Sequence, residues 1–116
     1  MTVLTVKHHF DDMKAFVIAI CLIGANSALA EPALVLGMGT GSCERWLSSP
    51  LNRTEGGVWA LGYWSARNRQ NAENHTVGDG VDTEGILGEV RKVCRDNPSM
   101  NLYSAVGIAY DALAGR

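Results

Sequence analysis

This sequence of 116 residues has no catalytic motif, and it contains only 3 histidines, 3 cysteines and 3 prolines. It lacks a nucleophile–base pair of the kind that acyl or phosphoryl transfer needs. His75 stands in a polar stretch with no second ligand at metal spacing. These absences predict a chain that is not an enzyme, with no catalytic residue, no metal site and no cofactor.

The sequence also lacks runs in which β-branched and polar residues alternate, so a sheet is not expected. Its net charge is only −2. A mildly acidic surface argues against nucleic acid and against anionic membrane surfaces as partners. The predicted fold class is all-α.

The acidic residues after position 78 suggest calcium at first sight, but they lack the spacing and central glycine of an EF-hand loop. Asp82 is better explained as the cap of a following helix, with Glu84 near the positive helix end. No calcium site is predicted.

No hydrophobic run is long enough to span a bilayer, which takes about 20 residues. The longest uncharged apolar run, residues 15–24, follows Lys14 and precedes Ala28-Leu29-Ala30. A basic start, a short apolar core and an Ala-x-Ala exit are typical of a secretory signal peptide, although a buried N-terminal helix is the alternative. The sequence predicts a signal peptide over 13–30, with 1–12 as an over-extended start before Met13. The mature protein would be periplasmic or secreted, with no membrane insertion after cleavage.

Cysteine usage agrees with export. Cys21 leaves with the signal peptide, so Cys43 and Cys94 remain as a single pair. In an oxidising compartment, a small exported chain with two cysteines most often joins them. We therefore expect a Cys43–Cys94 disulfide.

Residues 31–41 carry three alternating glycines without the spacing of a phosphate-binding loop, and we interpret them as a flexible arm. Residues 42–116 form the predicted helical domain. Apolar spacing predicts a short helix over Cys43–Leu47, a second from position 54 or 55 to about 68, and a third over about 83–95. Residues 51–57 are predicted to be a loop. A fourth helix follows, with Ser99 as its cap.

Two further predictions concern close packing and aromatic residues. Gly62 is expected to let another helix approach closely. The aromatic residues fit either of two roles, core packing or an exposed surface for a partner or client. The set is Trp59, Tyr63, Trp64, Tyr103 and Tyr110.

The stretch from Cys94 to Tyr103, with its Asn-Pro and Asn-Leu-Tyr, resembles the HdeB side of the HdeA/HdeB acid-stress chaperone family. The segment around Cys43 resembles that family's first cysteine. Residues 59–68 resemble a group of exported proteobacterial proteins with the same two-cysteine plan. The resemblance implies a periplasmic, mostly helical, disulfide-bonded domain. It also implies a dimer that comes apart at low pH and binds unfolded clients through apolar surface.

Three functions follow as hypotheses. The first is an acid-activated periplasmic holdase whose partners are unfolded clients. The second is a protein-binding or inhibitor module with one protein partner, similar in build to small immunity proteins against type VI secretion toxins. The third is an envelope protein of unknown activity. A homodimer is compatible with all three.

Overall fold

The computed structural model describes residues 33–116, and within this range the protein is all-helical. A 3-10 helix over Gly37–Thr40 precedes four α-helices. The α-helices are α1 (Cys43–Leu47), α2 (Pro50–Gln70), α3 (Thr83–Asp96) and α4 (Leu102–Ala114). In this part of the chain the only β pairing is one isolated bridge, between Ser42 and Asn101. The predictions for 1–12, 13–30 and Cys21 lie outside the described residues.

Helices α1 and α2 follow each other with only two residues between them. Ser42 caps α1 by accepting a hydrogen bond from the backbone N–H of Arg45. Ser49 caps α2 by accepting one from the backbone N–H of Asn52. The predicted loop over 51–57 is wrong, because Pro50 begins helix α2 instead of only ending α1. Proline is favoured at the first helical position, where its missing N–H costs no hydrogen bond.

Glycines near the start of α2 allow the other helices to approach it. The Trp46 indole of α1 occupies the space where a Cβ of Gly56 would stand, and its Nε1 donates to the carbonyl of Arg53 at 3.1 Å. The methyl groups of Leu87 on α3 lie against Gly57. The prediction for Gly62 is wrong, since no atom lies within 4 Å of the position its Cβ would take. Close approach therefore occurs one to two turns earlier than expected.

Helix α3 matches its prediction closely. Asp82 accepts a hydrogen bond from the backbone N–H of Gly85 at 2.7 Å, as expected of a helix cap. Val90 and Cys94 are fully buried on one stripe. The helix ends at Asp96, directly before the Asn-Pro sequence.

The junction after α3 is fastened to the start of the domain by backbone hydrogen bonds. The N–H of Cys43 donates to the carbonyl of Met100 at 2.7 Å, and the N–H of Leu102 donates to the carbonyl of Gly41 at 2.8 Å. The prediction that Ser99 caps α4 is wrong: Asn101 is the cap residue and makes no side-chain bond. The carbonyl of Gly41 satisfies the first N–H of α4 instead, so a capping side chain is not needed.

The core lies where the four helices meet, around the disulfide. Cys43 and Cys94 form the expected bond, with Cα atoms 5.0 Å apart and both side chains fully buried. In α4, Leu102, Ala105, Val106 and Ala109 form a buried stripe, whereas Leu113 is only partly buried. The bond joins α1 to α3 through two cysteines that are 51 positions apart in sequence.

Candidate functional site

The five aromatic residues of the predicted partner surface divide into buried and half-buried groups. Trp64 and Tyr110 are only 3% and 1% exposed. Their rings meet edge to face with centroids 5.0 Å apart. In this folded state these two side chains belong to the core and present no surface to a partner.

Hydrogen bonds hold this buried pair in place. The Trp64 Nε1 donates to the carbonyl of Val77 at 2.8 Å, and the Tyr110 hydroxyl donates to Oδ1 of Asn68 at 2.8 Å. Asn71 donates to the Tyr110 hydroxyl at 3.2 Å. Buried Trp and Tyr side chains usually need such partners for their polar ends. The bonds tie the loop after α2 to the ends of α2 and α4.

Trp59 and Tyr63 form a second, half-buried pair one helical turn apart on α2. Their rings stack with centroids 5.4 Å apart and planes inclined by 20°. The residues lie on the side of α2 that faces the 3-10 helix and α4. Trp and Tyr are enriched among the residues that contribute most of the binding energy at protein–protein interfaces.

The segment before α1 packs on this pair. Trp59 Nε1 donates to the carbonyl of Leu36 at 2.9 Å. The six-membered part of the Trp59 ring lies where a Cβ of Gly39 would stand, so only glycine fits beneath it. This contact, within an ordered 3-10 helix, differs from the flexible arm predicted over 31–41.

The same segment presents apolar side chains to solvent. Leu34 is 85% exposed and Leu36 is 69% exposed. We call the set of Leu36, Trp59 and Tyr63, together with Leu34 two residues before Leu36, the aromatic face. It combines two aromatic rings with two aliphatic side chains that are exposed to solvent.

Tyr103 lies half-buried in the first turn of α4. Its membership of a partner surface stays a prediction.

A cation borders the aromatic residues. The Arg67 guanidinium lies 4.3 Å from the centroid of the Tyr110 ring and donates to Asp111 at 2.9 Å. Partial burial alone would lower the pKa of Arg67, but its interactions with Tyr63 and Asp111 outweigh burial and raise that pKa. Arg67 therefore remains cationic beside Asp111.

Within residues 33–116, the side chains that could carry metal or redox chemistry are dispersed or buried. Across residues 33–116, no three His, Cys, Asp or Glu side chains gather where they could hold a metal ion. The exposed His75 pairs its Nδ1 with the carbonyl of Asn68 at 3.1 Å. The two disulfide sulfurs are fully enclosed, so the bond serves the fold. None of the described helices has the length and apolarity needed to cross a membrane.

Three residues that matter to the site went unnoticed in the sequence: Leu36, Gly39 and Asn68. Leu36 is hydrogen-bonded to Trp59, and Asn68 is hydrogen-bonded to Val77. Both contacts join separate segments of the chain, so the local sequence contains no pattern that indicates them. The alternating glycines of residues 37–41 do mark Gly39. They indicate that this position packs closely against an aromatic ring, not that the chain is flexible there.

Comparison of this chain with protein-family models, with curated proteins and with solved structures finds no match.

Proposed function

We propose that this chain is a small, exported, disulfide-stabilised protein-binding domain that recognises one protein partner through its aromatic face at neutral pH. The observation that carries the proposal is the contrast within the aromatic set. Trp64 and Tyr110 are enclosed in the core, whereas Trp59 and Tyr63 are only partly buried, and the segment that packs on Trp59 carries the exposed Leu34 and Leu36. Contiguous exposed apolar patches mark interaction sites, and Trp and Tyr are enriched among the residues that contribute binding energy there.

The proposal keeps the expectations of a periplasmic or secreted location and of a protein without enzymatic activity. The buried disulfide supports an oxidising compartment, where such bonds persist. An inhibitor or immunity module and an envelope protein that docks on another both fit this description, because each needs one preformed surface.

The test is capture of a partner from periplasmic extract of the source cells, with the immobilised oxidised protein at neutral pH. Tyr63→Ala removes a ring from the aromatic face, so it should abolish capture of a discrete partner. Leu51→Ala is the matched control, since Leu51 is 66% exposed on the same helix about 12 Å along its axis from Trp59. Equal capture by both variants would contradict the proposal.

A second candidate is the acid-activated holdase that the HdeA/HdeB resemblance implies. It is favoured by the way the buried Trp64–Tyr110 pair is covered: Arg67 lies over Tyr110 and is paired with Asp111 at the surface. Protonation of surface carboxylates at low pH would remove such pairs and raise the net positive charge, while the disulfide would keep α1 joined to α3.

The holdase proposal is tested by mixing the oxidised protein with an aggregating client under acid and neutral conditions. Suppression of aggregation only in acid, together with loss of near-UV circular dichroism, would support the holdase. Absence of suppression at excess protein would reject it. The aromatic-face proposal predicts partner capture at neutral pH and does not depend on this result.

A further inference from the structure

A glycine near the middle of α4 leaves a notch beside the aromatic face. A Cβ on Gly107 would lie 3.8 Å from Nη1 of Arg67 and 3.8 Å from the Tyr63 hydroxyl. Both distances are ordinary van der Waals contacts, and the φ of Gly107 is not positive. The fold would therefore accept alanine at this position, although glycine is less favourable than alanine in a helix interior. Packing within the described chain gives no reason for the glycine, and its missing side chain leaves space in front of two polar groups.

The notch continues the aromatic face. Trp59, Tyr63 and Arg67 follow one another at intervals of four residues, so they share one side of α2. The Tyr63 ring stacks on Trp59 with centroids 5.4 Å apart, and its hydroxyl borders the notch. A partner that packs on the two rings therefore brings its neighbouring side chains to the notch.

The two polar groups at the notch can both donate hydrogen bonds. A guanidinium carries five N–H donors in a planar fork, and Asp111 accepts from Nη2 of Arg67 at 2.9 Å. Nη1, which borders the notch, belongs to the other arm of this fork. The guanidinium is positioned by Asp111 and by the Tyr110 ring, whose centroid lies 4.3 Å from Cζ. A cationic donor held in place beside a hydroxyl suits a planar carboxylate.

We propose that the notch recognises a carboxylate on the protein partner. A Glu or Asp side chain of the partner lies over Gly107 and accepts hydrogen bonds from Nη1 of Arg67 and from the Tyr63 hydroxyl, while an adjacent apolar side chain packs on Trp59. Trp, Tyr and Arg are the residue types enriched among the residues that dominate interface energies. The inference rests on the proposed function and deepens it, because it names the chemical group that the partner presents.

Asp111 competes with the partner's carboxylate for the same guanidinium. Its side chain is 70% exposed, and that of Arg67 is 35% exposed. Exposed ion pairs of this kind are weak, so an incoming carboxylate can share the guanidinium or displace Asp111 from it. Removal of the Asp111 charge should therefore strengthen recognition, whereas a purely structural role for Asp111 predicts no gain.

The probes are two synthetic peptides that differ in one group, acetyl-Leu-Glu-Leu-amide and acetyl-Leu-Gln-Leu-amide. Each is titrated to millimolar concentration, at neutral pH and low salt, into isotope-labelled protein expressed from its full sequence and purified with its disulfide intact. NMR shifts of the Trp59 indole N–H and of the Arg67 Nε–H report binding. We expect the dissociation constant of the glutamate peptide to be about tenfold lower than that of the glutamine peptide, since hydrogen bonds to an ionised carboxylate are the stronger ones.

Two glycine variants separate the notch from the stability of the fold. Gly107→Ala places a methyl group where the carboxylate would lie, so the preference for the glutamate peptide should fall below about twofold. Gly62→Ala makes the same exchange at a position with no atom within 4 Å of the added Cβ, and it should keep the preference. Both exchanges should raise the melting temperature, so unfolding would not account for lost binding in Gly107→Ala.

Asp111→Asn should change the affinity in the opposite direction. It removes the competing charge, so the dissociation constant of the glutamate peptide should fall by about two- to fivefold. Equal affinity of the parent for both peptides, binding of neither, a preference that survives Gly107→Ala, or weaker binding by Asp111→Asn would each overturn the inference.

Capture from periplasmic extract separates this inference from the proposed function. Capture that is lost in Tyr63→Ala but unchanged in Gly107→Ala would leave the aromatic face as the partner surface and overturn recognition of a carboxylate. Capture that is unchanged in Tyr63→Ala would contradict the proposed function itself.

Discussion

The side-chain amide of Asn68 forms two hydrogen bonds with the backbone of Val77, one in each direction. Its Oδ1 accepts from the N–H of Val77 and its Nδ2 donates to the carbonyl of Val77, both at 3.1 Å. The same Oδ1 also accepts from the Tyr110 hydroxyl. One side chain at the end of α2 thus anchors the loop to the core, where Val77 is only 4% exposed.

Replacing Asn68 with alanine should therefore lower the free energy of unfolding by about 2–3 kcal/mol, since it leaves the buried N–H of Val77 without a partner and removes the acceptor of the Tyr110 hydroxyl. Asn68→Asp keeps the acceptor oxygen and removes only the N–H donor, so it should lower the free energy of unfolding by less than the alanine variant does. Urea unfolding followed by circular dichroism measures both. An alanine variant as stable as the parent would show that the loop is held by other contacts.

Helix α2 offers a matched pair of glycines. Gly56→Ala forces a methyl group into the Trp46 ring and should destabilise the protein by about 1–3 kcal/mol, as overpacking does. Gly62→Ala enters open space and should stabilise it by about 0.5–1 kcal/mol through helix propensity. Thermal unfolding of the two variants distinguishes them, and a shift of the same sign in both would contradict the packing.

Loss of the disulfide should destabilise the protein strongly. The Cys43→Ala/Cys94→Ala double variant lacks a link that closes a loop spanning 51 positions. The chain-entropy relation for such a loop gives about 4 kcal/mol. Denaturant unfolding of the double variant and of the oxidised parent measures the difference. A difference in the free energy of unfolding below about 1 kcal/mol would mean that the backbone hydrogen bonds of the 97–102 junction hold the helices together without the disulfide.

Glu89 is the carboxylate whose pairing should appear in the pH dependence of stability. A hydrogen bond from Lys92, assisted by the charges of Lys92 and Arg116, holds the pKa of Glu89 below its usual value. A lowered folded-state pKa contributes stability that is fully present above the unfolded pKa and is lost as pH falls through the folded pKa.

Glu89→Gln should consequently reduce stability at neutral pH and flatten its decline in acid. Glu55→Gln, at an exposed position in α2 outside the ion pairs of the described residues, is the control. Denaturation midpoints from neutral pH down to acid provide the measurement. Identical pH profiles for the parent and the Glu89 variant would contradict a role for this pairing.

Local patterns predicted much of this fold. The apolar stripes of α3 and α4 have helical spacing, and the disulfide followed from an even pair of cysteines in a chain expected to be exported. The start of α2 was misjudged because Pro50 can end one helix and begin the next, and only the Ser49 cap decides between these roles. The cap of α4 was misplaced because a backbone carbonyl from a distant segment replaces a side chain.

The candidate site was less accessible from the sequence. Trp59 and Trp64 occupy similar positions in the helical pattern, yet Trp59 is partly buried and Trp64 is enclosed. The difference arises from the loop that folds back over Trp64 through Val77, and from the arm that packs on Trp59 and leaves it partly buried. Both depend on contacts between segments that no local spacing encodes.

Site-specific photo-crosslinking at position 63 tests the central claim most directly. A photoreactive side chain would replace Tyr63 in the source cells at neutral pH, with Ala72 in the exposed loop as the control position. Our account predicts one discrete crosslinked product with another protein from position 63 and none from position 72. No product from position 63, or the same products from both positions, would contradict recognition of a partner by the aromatic face.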